Sequence, residues 1–380
     1  MLFLIAFGLA HAPHDVVDGI AVPYDLSDSG PWWVTGYRSR ATLFNYSRDA
    51  GANWYTSSPP AGSTPSDLCM MSNGDVLALA SPRYFYSTDD GSTFTTVVGP
   101  VGTVDIACGT SAWLAGSGGI YVTSDPSVAP TLSQSGNFVS IRAFLDDVSA
   151  IDSSGNPWVW DATAGTWSSL AKPGGRSATA LSPDGAYAGT RTGTVYAYNS
   201  SRGLWSVCGA LPSATSAQPE VQALVVDGYT GATLLAGASY GGPYASTDGC
   251  ATWTSVLMGE QPYFERPGRP SVDHPTWREI YAYDGKWVTA GWAGVWYTED
   301  GGATWPEARW FTAEAEASFA PPPVSSRGPV SAAEGWDLDR ADDAEETAPG
   351  AGCAAGSAAL MLVPLSGLLR RRRRSTATPQ

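Results

Sequence analysis

The chain predicts an all-β fold: a seven-bladed β-propeller of four-stranded blades, followed by a disordered acidic linker and a C-terminal hydrophobic tail. Three observations predict it. A short pattern recurs seven times between Asn45 and Trp305: an aromatic-rich strand, a turn built on Asp and Gly, then a bulky, usually aromatic residue. The residues that close the copies are Trp54, Phe94, Leu132, Trp167, Trp205, Trp253 and Trp305, spaced 40, 38, 35, 38, 48 and 52 apart, a period that fits one propeller blade. The composition agrees, since 43 Gly, 16 Trp and only 15% charged residues suit many short strands joined by tight turns.

Four copies are nearly complete: Ser47 to Trp54, Ser87 to Phe94, Ser246 to Trp253 and Thr298 to Trp305. Three weaker copies lie between them, at Thr123-Ser124-Asp125, at Asp161 to Trp167 and at Asn199 to Trp205. In the strong copies the residues expected to shape the turn are Asp49, Gly51, Asp89, Gly91, Asp248, Asp300 and Gly302. An Asp carboxylate accepts backbone N–H groups in such a turn, Gly supplies a positive φ, and the terminal aromatic anchors the hairpin between sheets. The pattern Ser-x-Asp-x-Gly-x-Thr-Trp resembles the Asp-box, or BNR, repeat of sialidases and sortilin-type ectodomains. The resemblance implies a structural role for the box and leaves function to be argued from a site.

Within the second unit, residues 67–72, 75–80, 84–87 and 94–98 read as successive strands from the inner to the outer edge of a blade. Connections then alternate between two faces. The boxes share one face with the first turns, and the second turns share the other with the links between blades. The strand near Val16 to Val22 either opens the first blade or completes the last; the sequence leaves both closures open.

The ends carry different signals. Residues 1–12 begin with the apolar run Met1 to Ala10 and read as a signal peptide, with Ala10-His11-Ala12 or Gly8-Leu9-Ala10 as the cleavage pattern. Residues 13–311 hold the propeller. Residues 312–350 are rich in Ala, Pro, Ser and acid, with nine acidic residues against Arg327 and Arg340, and read as a flexible spacer. In residues 351–380, Cys353 precedes an apolar segment, interrupted by Pro364, and then Arg370 to Arg374. A Cys, a short hydrophobic stretch and an Arg cluster resemble the myxobacterial-type C-terminal sorting tail. That resemblance implies cutting at Cys353 and display at the cell surface, outer-membrane-associated or secreted. A tail anchor that stays embedded is the alternative.

The formal net charge of −15, which becomes −20 without the five tail arginines, argues against nucleic acid as a partner. An exported chain permits disulfides. Apart from Cys353, four cysteines are present, and Cys69 and Cys108 hold equivalent places in successive units while Cys208 follows one box and Cys250 sits inside the next. Cys69–Cys108 and Cys208–Cys250 are the pairings these positions suggest, among three connectivities.

The link face is where a ligand site is expected. Second turns bring Arg38 and Arg40, Arg83, Ser117, Asn156, Arg191, Tyr240 and Trp292, and a blade link adds Arg176. An insertion between Thr254 and Pro275 adds Tyr263, Phe264, Glu265, Arg266 and Arg269. Flat aromatic faces beside basic and acidic groups suit a glycan, a peptide or a protein. Sialidases converge three arginines on a carboxylate, with a Tyr nucleophile activated by Glu and an Asp acid/base. Glu260, Glu265, Asp273 and Tyr263 are of the right kind, but Gly36-Tyr37-Arg38-Ser39-Arg40-Ala41 lacks the Ile-Pro that follows the first sialidase arginine. Three scattered histidines, His11, His14 and His274, form no zinc motif, and neither a phosphate loop nor a nucleophile elbow is present. Asp146-Asp147 could bind calcium, although neighbouring acids in a loop are usually just solvated. The expected protein is thus a monomeric, cofactor-free and metal-free recognition or scaffold module, with a sialidase-like glycoside hydrolase as the alternative.

Overall fold

The computed structural model describes residues 15–26, 31–38, 41–51, 53–57, 65–212, 219–227, 233–239, 243–256, 277–291 and 294–304. They form seven antiparallel sheets. Blade one is β1 (Asp15–Ala21), β2 (Trp32–Arg38), β3 (Ala41–Ser47) and β4 (Tyr55–Thr56), and blade two is β5 (Asp67–Met70), β6 (Val76–Ala80), β7 (Arg83–Ser87) and β8 (Thr95–Val98). Blade three is β9 (Thr103–Cys108), β10 (Ala112–Gly116), β11 (Gly119–Thr123) and β12 (Thr131–Ser135), and blade four is β13 (Phe138–Phe144), β14 (Asp147–Asp152), β15 (Pro157–Asp161) and β16 (Thr166–Ser169). Blade five is β17 (Ala178–Leu181), β18 (Tyr187–Thr190), β19 (Thr194–Asn199) and β20 (Leu204–Ala210). Blade six is β21 (Val221–Val226), β22 (Leu234–Ala238), β23 (Tyr244–Ser246) and β24 (Thr254–Ser255). Blade seven has three strands among the described residues, β25 (Trp277–Tyr283), β26 (Lys286–Gly291) and β27 (Gly294–Thr298).

Each blade is a plain meander, so neighbouring strands in the sheet are neighbours in sequence. β1 pairs with β2, which makes it the inner strand of the first blade and settles which sheet residues 16–21 join. Second strands such as β6 and β10 are buried on both faces, whereas outer strands such as β8 and β16 are mostly exposed.

The core is distributed between blades. Seven apolar clusters each join two adjacent blades, and the seventh closes the ring by packing Val17, Ile20, Trp32 and Trp54 of blade one against Val288, Ala290, Val295 and Tyr297 of blade seven. Trp32 and Tyr297 meet edge-on at 5.1 Å, and Tyr281 donates to the Ile20 carbonyl at 3.1 Å across the same seam. Two disulfides add covalent ties between blades. Cys69–Cys108 joins the inner strands β5 and β9, and Cys208–Cys250 joins β20 to the turn between β23 and β24.

The four complete copies form one turn. Its Ser or Thr hydroxyl donates to the Asp carboxylate, at 2.8 Å in Ser47–Asp49, 2.7 Å in Ser87–Asp89, 2.9 Å in Ser246–Asp248 and 2.7 Å in Thr298–Asp300. The same hydroxyl accepts the N–H of Gly51, Gly91, Cys250 or Gly302. The carboxylate then accepts the N–H of Asn53, Thr93, Thr252 or Thr304, and its second oxygen accepts that residue's side chain. Two successive residues take positive φ: Ala50 and Gly51, Asp90 and Gly91, Gly249 and Cys250, Gly301 and Gly302. Cys250 stands where the other three turns have Gly, at φ 69°, and is held there by its bond to Cys208.

The aromatic that closes each copy packs toward the preceding blade. Phe94 meets Trp33 of blade one edge-on at 5.4 Å, Trp167 meets Trp113 of blade three at 5.6 Å, and Trp205 Nε1 donates to Ala171 O in the link before its blade. Trp54 and Trp253 lie in the clusters that join their blades to the ones before. Leu132, in the weak third copy, is instead 54% exposed. The weaker copies at Asp161 and Asn199 form simpler turns in which the side chain accepts N–H groups two or three residues on. Trp305 and Cys353 lie outside the described residues.

Candidate ligand site at the channel mouth

The seven inner strands line the central channel, and each enters it from the link face. In six of them a β-bulge falls at the entry, with Asp18, Val104, Val139, Thr179, Gln222 and Arg278 as the extra residues. In β5 the equivalent place is Ser66, whose N–H donates to the carbonyl of Leu79, the partner of Asp67. A bulge re-aims the residues beside it and strengthens local twist. Repeated around the ring, it gathers a polar collar where an unbroken antiparallel register would continue the apolar core.

The collar is acidic and knit across blades. Asp67 accepts the N–H groups of Leu68 at 2.8 Å and Ile106 at 3.1 Å, the latter from the next blade. Asp105 repeats this one blade further, accepting the Ile141 N–H at 2.7 Å. Gly19 fills the corresponding place in blade one because a side chain there would run into Asp67 and Leu68 at 2.8 Å. Arg142 of blade four lies 3.1 Å from Asp105 in blade three and 3.5 Å from Glu279 in blade seven, so its guanidinium spans the channel. Burial acts against this charge, but the carboxylates of Glu279, Asp105 and Asp67 outweigh it and raise the pKa above the usual guanidinium value. Asp67 is raised well above the carboxylate range, first by burial and then by the nearby charges of Asp105 and Glu279.

This layer divides the channel. Toward the box face lies a narrow apolar cavity of about 60 Å³, lined in part by Met70, Ile106, Leu224 and Ile280. Toward the link face opens a cavity of about 510 Å³ lined by Asp18, Asp67, Asp105, Arg142, Glu220 and Glu279, with Thr179, Gln222 and the bulge valines on its walls. A groove of about 470 Å³ continues from it between blades four and five, sharing Val139 and Thr179 and bordered by Arg176, Arg191 and Thr192. Arg191 is 84% exposed and stands 3.7 Å from Glu220, so it borders both openings.

Of the side chains singled out from sequence, the structure thus brings Arg191 and Arg176 to the site and leaves Arg83 exposed at the β6–β7 turn, away from the cavity lining. Tyr240, Tyr263, Phe264, Glu265, Arg266, Arg269 and Trp292 lie outside the described residues, as does Arg40. Asp146, on the other face, accepts a hydrogen bond from Thr110, and Asp147 is raised by partial burial and by the charges of Asp184 and Asp146. Among the described residues, no group of three or more His, Cys, Asp or Glu is arranged to hold a metal ion, and no helix is long and apolar enough to cross a membrane. Sequence reasoning missed the collar. A signal was present: Asp67-Leu68-Cys69 and Asp105-Ile106-Ala107-Cys108 each place an acid at the start of an inner strand that otherwise reads as core.

Comparison with solved structures places the fold among known propellers. The chain superposes on YCF48 from Cyanidioschyzon merolae with a TM-score of 0.57 at 16% identity, covering 77% of this chain and 97% of that one. It is similar to YCF48 bound to D1 peptide, with a TM-score of 0.56 at 15% identity over 74% of this chain and 91% of the other. The extracellular domain of the putative one component system BT4673 from B. thetaiotaomicron gives 0.53 at 14% identity, covering 75% of this chain and 38% of that one. At these identities the likeness shows a shared seven-bladed fold. No family model and no curated protein matches the chain.

Proposed function

We propose that this chain is an exported Asp-box propeller that recognises a peptide or a protein segment at the link face of its channel, without catalysis. The observation that carries the reading is the open cavity at the channel mouth, walled by all seven inner strands and continuous with an inter-blade groove. An elongated ligand fits a round mouth that extends into a trench better than a compact one does. The structure of a propeller of the same fold bound to D1 peptide is in keeping with this use. The turns that resemble Asp-boxes support the assignment by geometry, since four of them share one hydrogen-bond scheme and face away from the cavity.

Export and display complete the reading: a signal peptide in residues 1–12, a spacer in residues 312–350 and a sorting tail around Cys353 would hold the propeller outside the cell. Two inter-blade disulfides suit an oxidising compartment. Glycan binding is the neighbouring possibility in ligand class, resting on Tyr263, Phe264, Arg266 and Arg269. Sialidase-like hydrolysis is disfavoured because Arg142, the arginine at the channel centre, is already engaged by Asp105 and Glu279 rather than open to a substrate carboxylate.

The test is to screen residues 13–350 against a peptide array, a glycan array and fluorogenic glycosides, with Glu265→Ala and Arg266→Ala variants alongside. Saturable peptide binding without turnover is expected. Turnover that disappears in Glu265→Ala would replace this reading with a glycosidase, and glycan binding lost in Arg266→Ala would move the ligand from peptide to sugar.

A further inference from the structure

The groove between blades four and five carries a chemistry of its own. Ala178 of β17 stands opposite Thr190 of β18, so Arg176 and Arg191 leave the same end of one strand pair, at the link face. Both line the groove, whose other wall is the β14–β15 turn of blade four. Neither guanidinium is spent. Among the described residues Arg176 makes no ion pair or side-chain hydrogen bond, and Arg191 has only Glu220, 3.7 Å from its Nε and beyond hydrogen-bond reach. Asp152 also lines the groove, but its oxygens already accept the N–H groups of Ser154 and Asn156 at 2.9 Å each, Asn156 Nδ2 at 2.7 Å and Trp158 Nε1 at 3.2 Å. Burial acts to raise its pKa, yet these hydrogen bonds outweigh it and hold Asp152 below the ordinary carboxylate range. Its charge is thus stabilised within its own turn, without either arginine.

Two independent observations point the same way. The link from Leu170 to Ser177, which carries Arg176, contains no acid, and Lys172 in it also has no ion pair among the described residues. In a chain with 36 Asp and Glu against 21 Lys and Arg, basic groups left without a bonded acid on one border are an exception that a ligand would explain. The other observation is rigidity. The N–H groups of Gly175 and Arg176 donate to the carbonyls of Lys172 and Pro173 at 3.1 and 3.0 Å, while Ser177 Oγ and the Ala178 N–H tie the link to Ser154 O and Gly155 O at 3.3 and 3.0 Å. On the other strand, the Gly193 N–H donates to Thr190 O at 3.1 Å and closes the turn that carries Arg191. Both arginines rise from a fixed backbone, which lowers the ordering cost of binding.

We infer that this groove is a carboxylate site, taking an aspartate or glutamate side chain, or the free C-terminus, of the bound peptide between Arg176 and Arg191. A guanidinium presents paired N–H donors that match both oxygens of a carboxylate, and such charge-assisted pairs are roughly twice as strong as neutral hydrogen bonds. Lys172 adds attraction from the link. Because the groove opens from the channel mouth, a carboxylate held there sets the register of the segment that lies over the mouth. This inference rests on the recognition reading and adds one element of the ligand's chemistry to it.

The experiment uses N-terminally labelled octapeptide pools, randomised over uncharged residues, on the full chain. One pool fixes a central glutamate and ends in an amide, a second fixes glutamine there and ends in an amide, and a third fixes glutamine and ends in a free acid. Binding is followed by fluorescence anisotropy at two salt concentrations, with Arg176→Gln, Arg191→Gln and the double variant. Arg202→Gln, in the turn between β19 and β20 on the box face, controls for the loss of a positive charge elsewhere, and circular dichroism checks that each variant keeps its sheet. The expected result is that an acid-bearing pool binds about tenfold or more tightly than the neutral pool, less so at high salt, and that the advantage falls in each groove variant while Arg202→Gln keeps it. An advantage of the glutamate pool assigns the carboxylate to a side chain, and one of the free-acid pool to the C-terminus. A neutral pool that binds as tightly as both acidic ones, or an advantage that survives in the double variant, would overturn this inference and leave peptide recognition standing. Failure of every pool would overturn the recognition reading and this inference with it.

Discussion

Gly91 is where the box turn and the inter-blade core are most tightly joined, and replacing it by alanine separates two costs. A Cβ at Gly91 would sit 1.8 Å from Trp33 Cζ2 and 2.6 Å from its Cε2, in a backbone conformation with φ +78°. Trp33 cannot yield freely, being 1% exposed and packed against Phe44, Tyr46 and Phe94 at 4.9, 5.0 and 5.4 Å. Overpacking of this kind costs about 1–3 kcal/mol. The left-handed backbone adds about 1–2 kcal/mol for a residue with a Cβ, offset by roughly 0.4–1 kcal/mol of unfolded-state entropy. The sum is about 3 kcal/mol. Gly249→Ala is the control for the backbone part, since Gly249, one position earlier in the sixth blade's turn, also has a positive φ, +68°, with nothing within 4 Å of an added Cβ. Its cost is the backbone part alone, about 1 kcal/mol. Urea unfolding followed by tryptophan fluorescence reads both, and trimming the ring with Trp33→Phe should remove much of the Gly91→Ala penalty in a double-mutant cycle. Equal costs for Gly91→Ala and Gly249→Ala, or no coupling to Trp33, would refute the packing argument.

Three further outcomes follow from the same contacts. Asp89, Asp248 and Asp300 are held down to about 2, chiefly by hydrogen bonds from Thr93, Thr252 and Thr304, so their contribution is fully present above the ordinary carboxylate range and is lost as pH falls from about 4 through about 2; acid melts of Asp89→Asn should show a shallower loss over that window than wild type. Arg142→Met removes the guanidinium that Asp105 and Glu279 share, and because the Arg142 side chain is 25% exposed the cost is placed at about 2 kcal/mol rather than the full value for a buried pair, measured by urea unfolding at neutral pH. Cys208→Ala/Cys250→Ala opens a 42-residue loop and should lower stability by about 4 kcal/mol on the chain-entropy estimate, a difference that disappears when both proteins are measured fully reduced.

The fold was legible because its signals are local and repeated. A hydroxyl, an Asp and a Gly at fixed spacing make the same hydrogen bonds at Ser47, Ser87, Ser246 and Thr298, and the spacing counts blades without any knowledge of contacts. The cysteines at equivalent positions, Cys69 and Cys108, pair because equivalent positions on adjacent inner strands are neighbours in a ring. Closure of the ring was not legible, since the pairing of Asp15–Ala21 with β2 depends on register rather than pattern. The site was legible as a face and not as residues. Basic and aromatic loop residues drew attention by type, yet the cavity is built from Asp18, Asp67, Asp105, Arg142, Gln222 and Glu279 inside strands, where alternation predicts core. Their exposure to the channel follows from bulges that a single sequence does not announce, and Arg142 meets Glu279 only because blades four and seven face one another across it.

The central claim is that the link-face mouth is the recognition surface. The most direct measurement is hydrogen–deuterium exchange of the chain with and without its tightest-binding peptide from the array. The account predicts slowed exchange in residues 99–106, 137–142, 177–181 and 219–223, with the box turns at residues 87–94 and 246–253 unchanged. Slowing confined to the box turns or the outer strands, with the inner-strand entries unaffected, would contradict it.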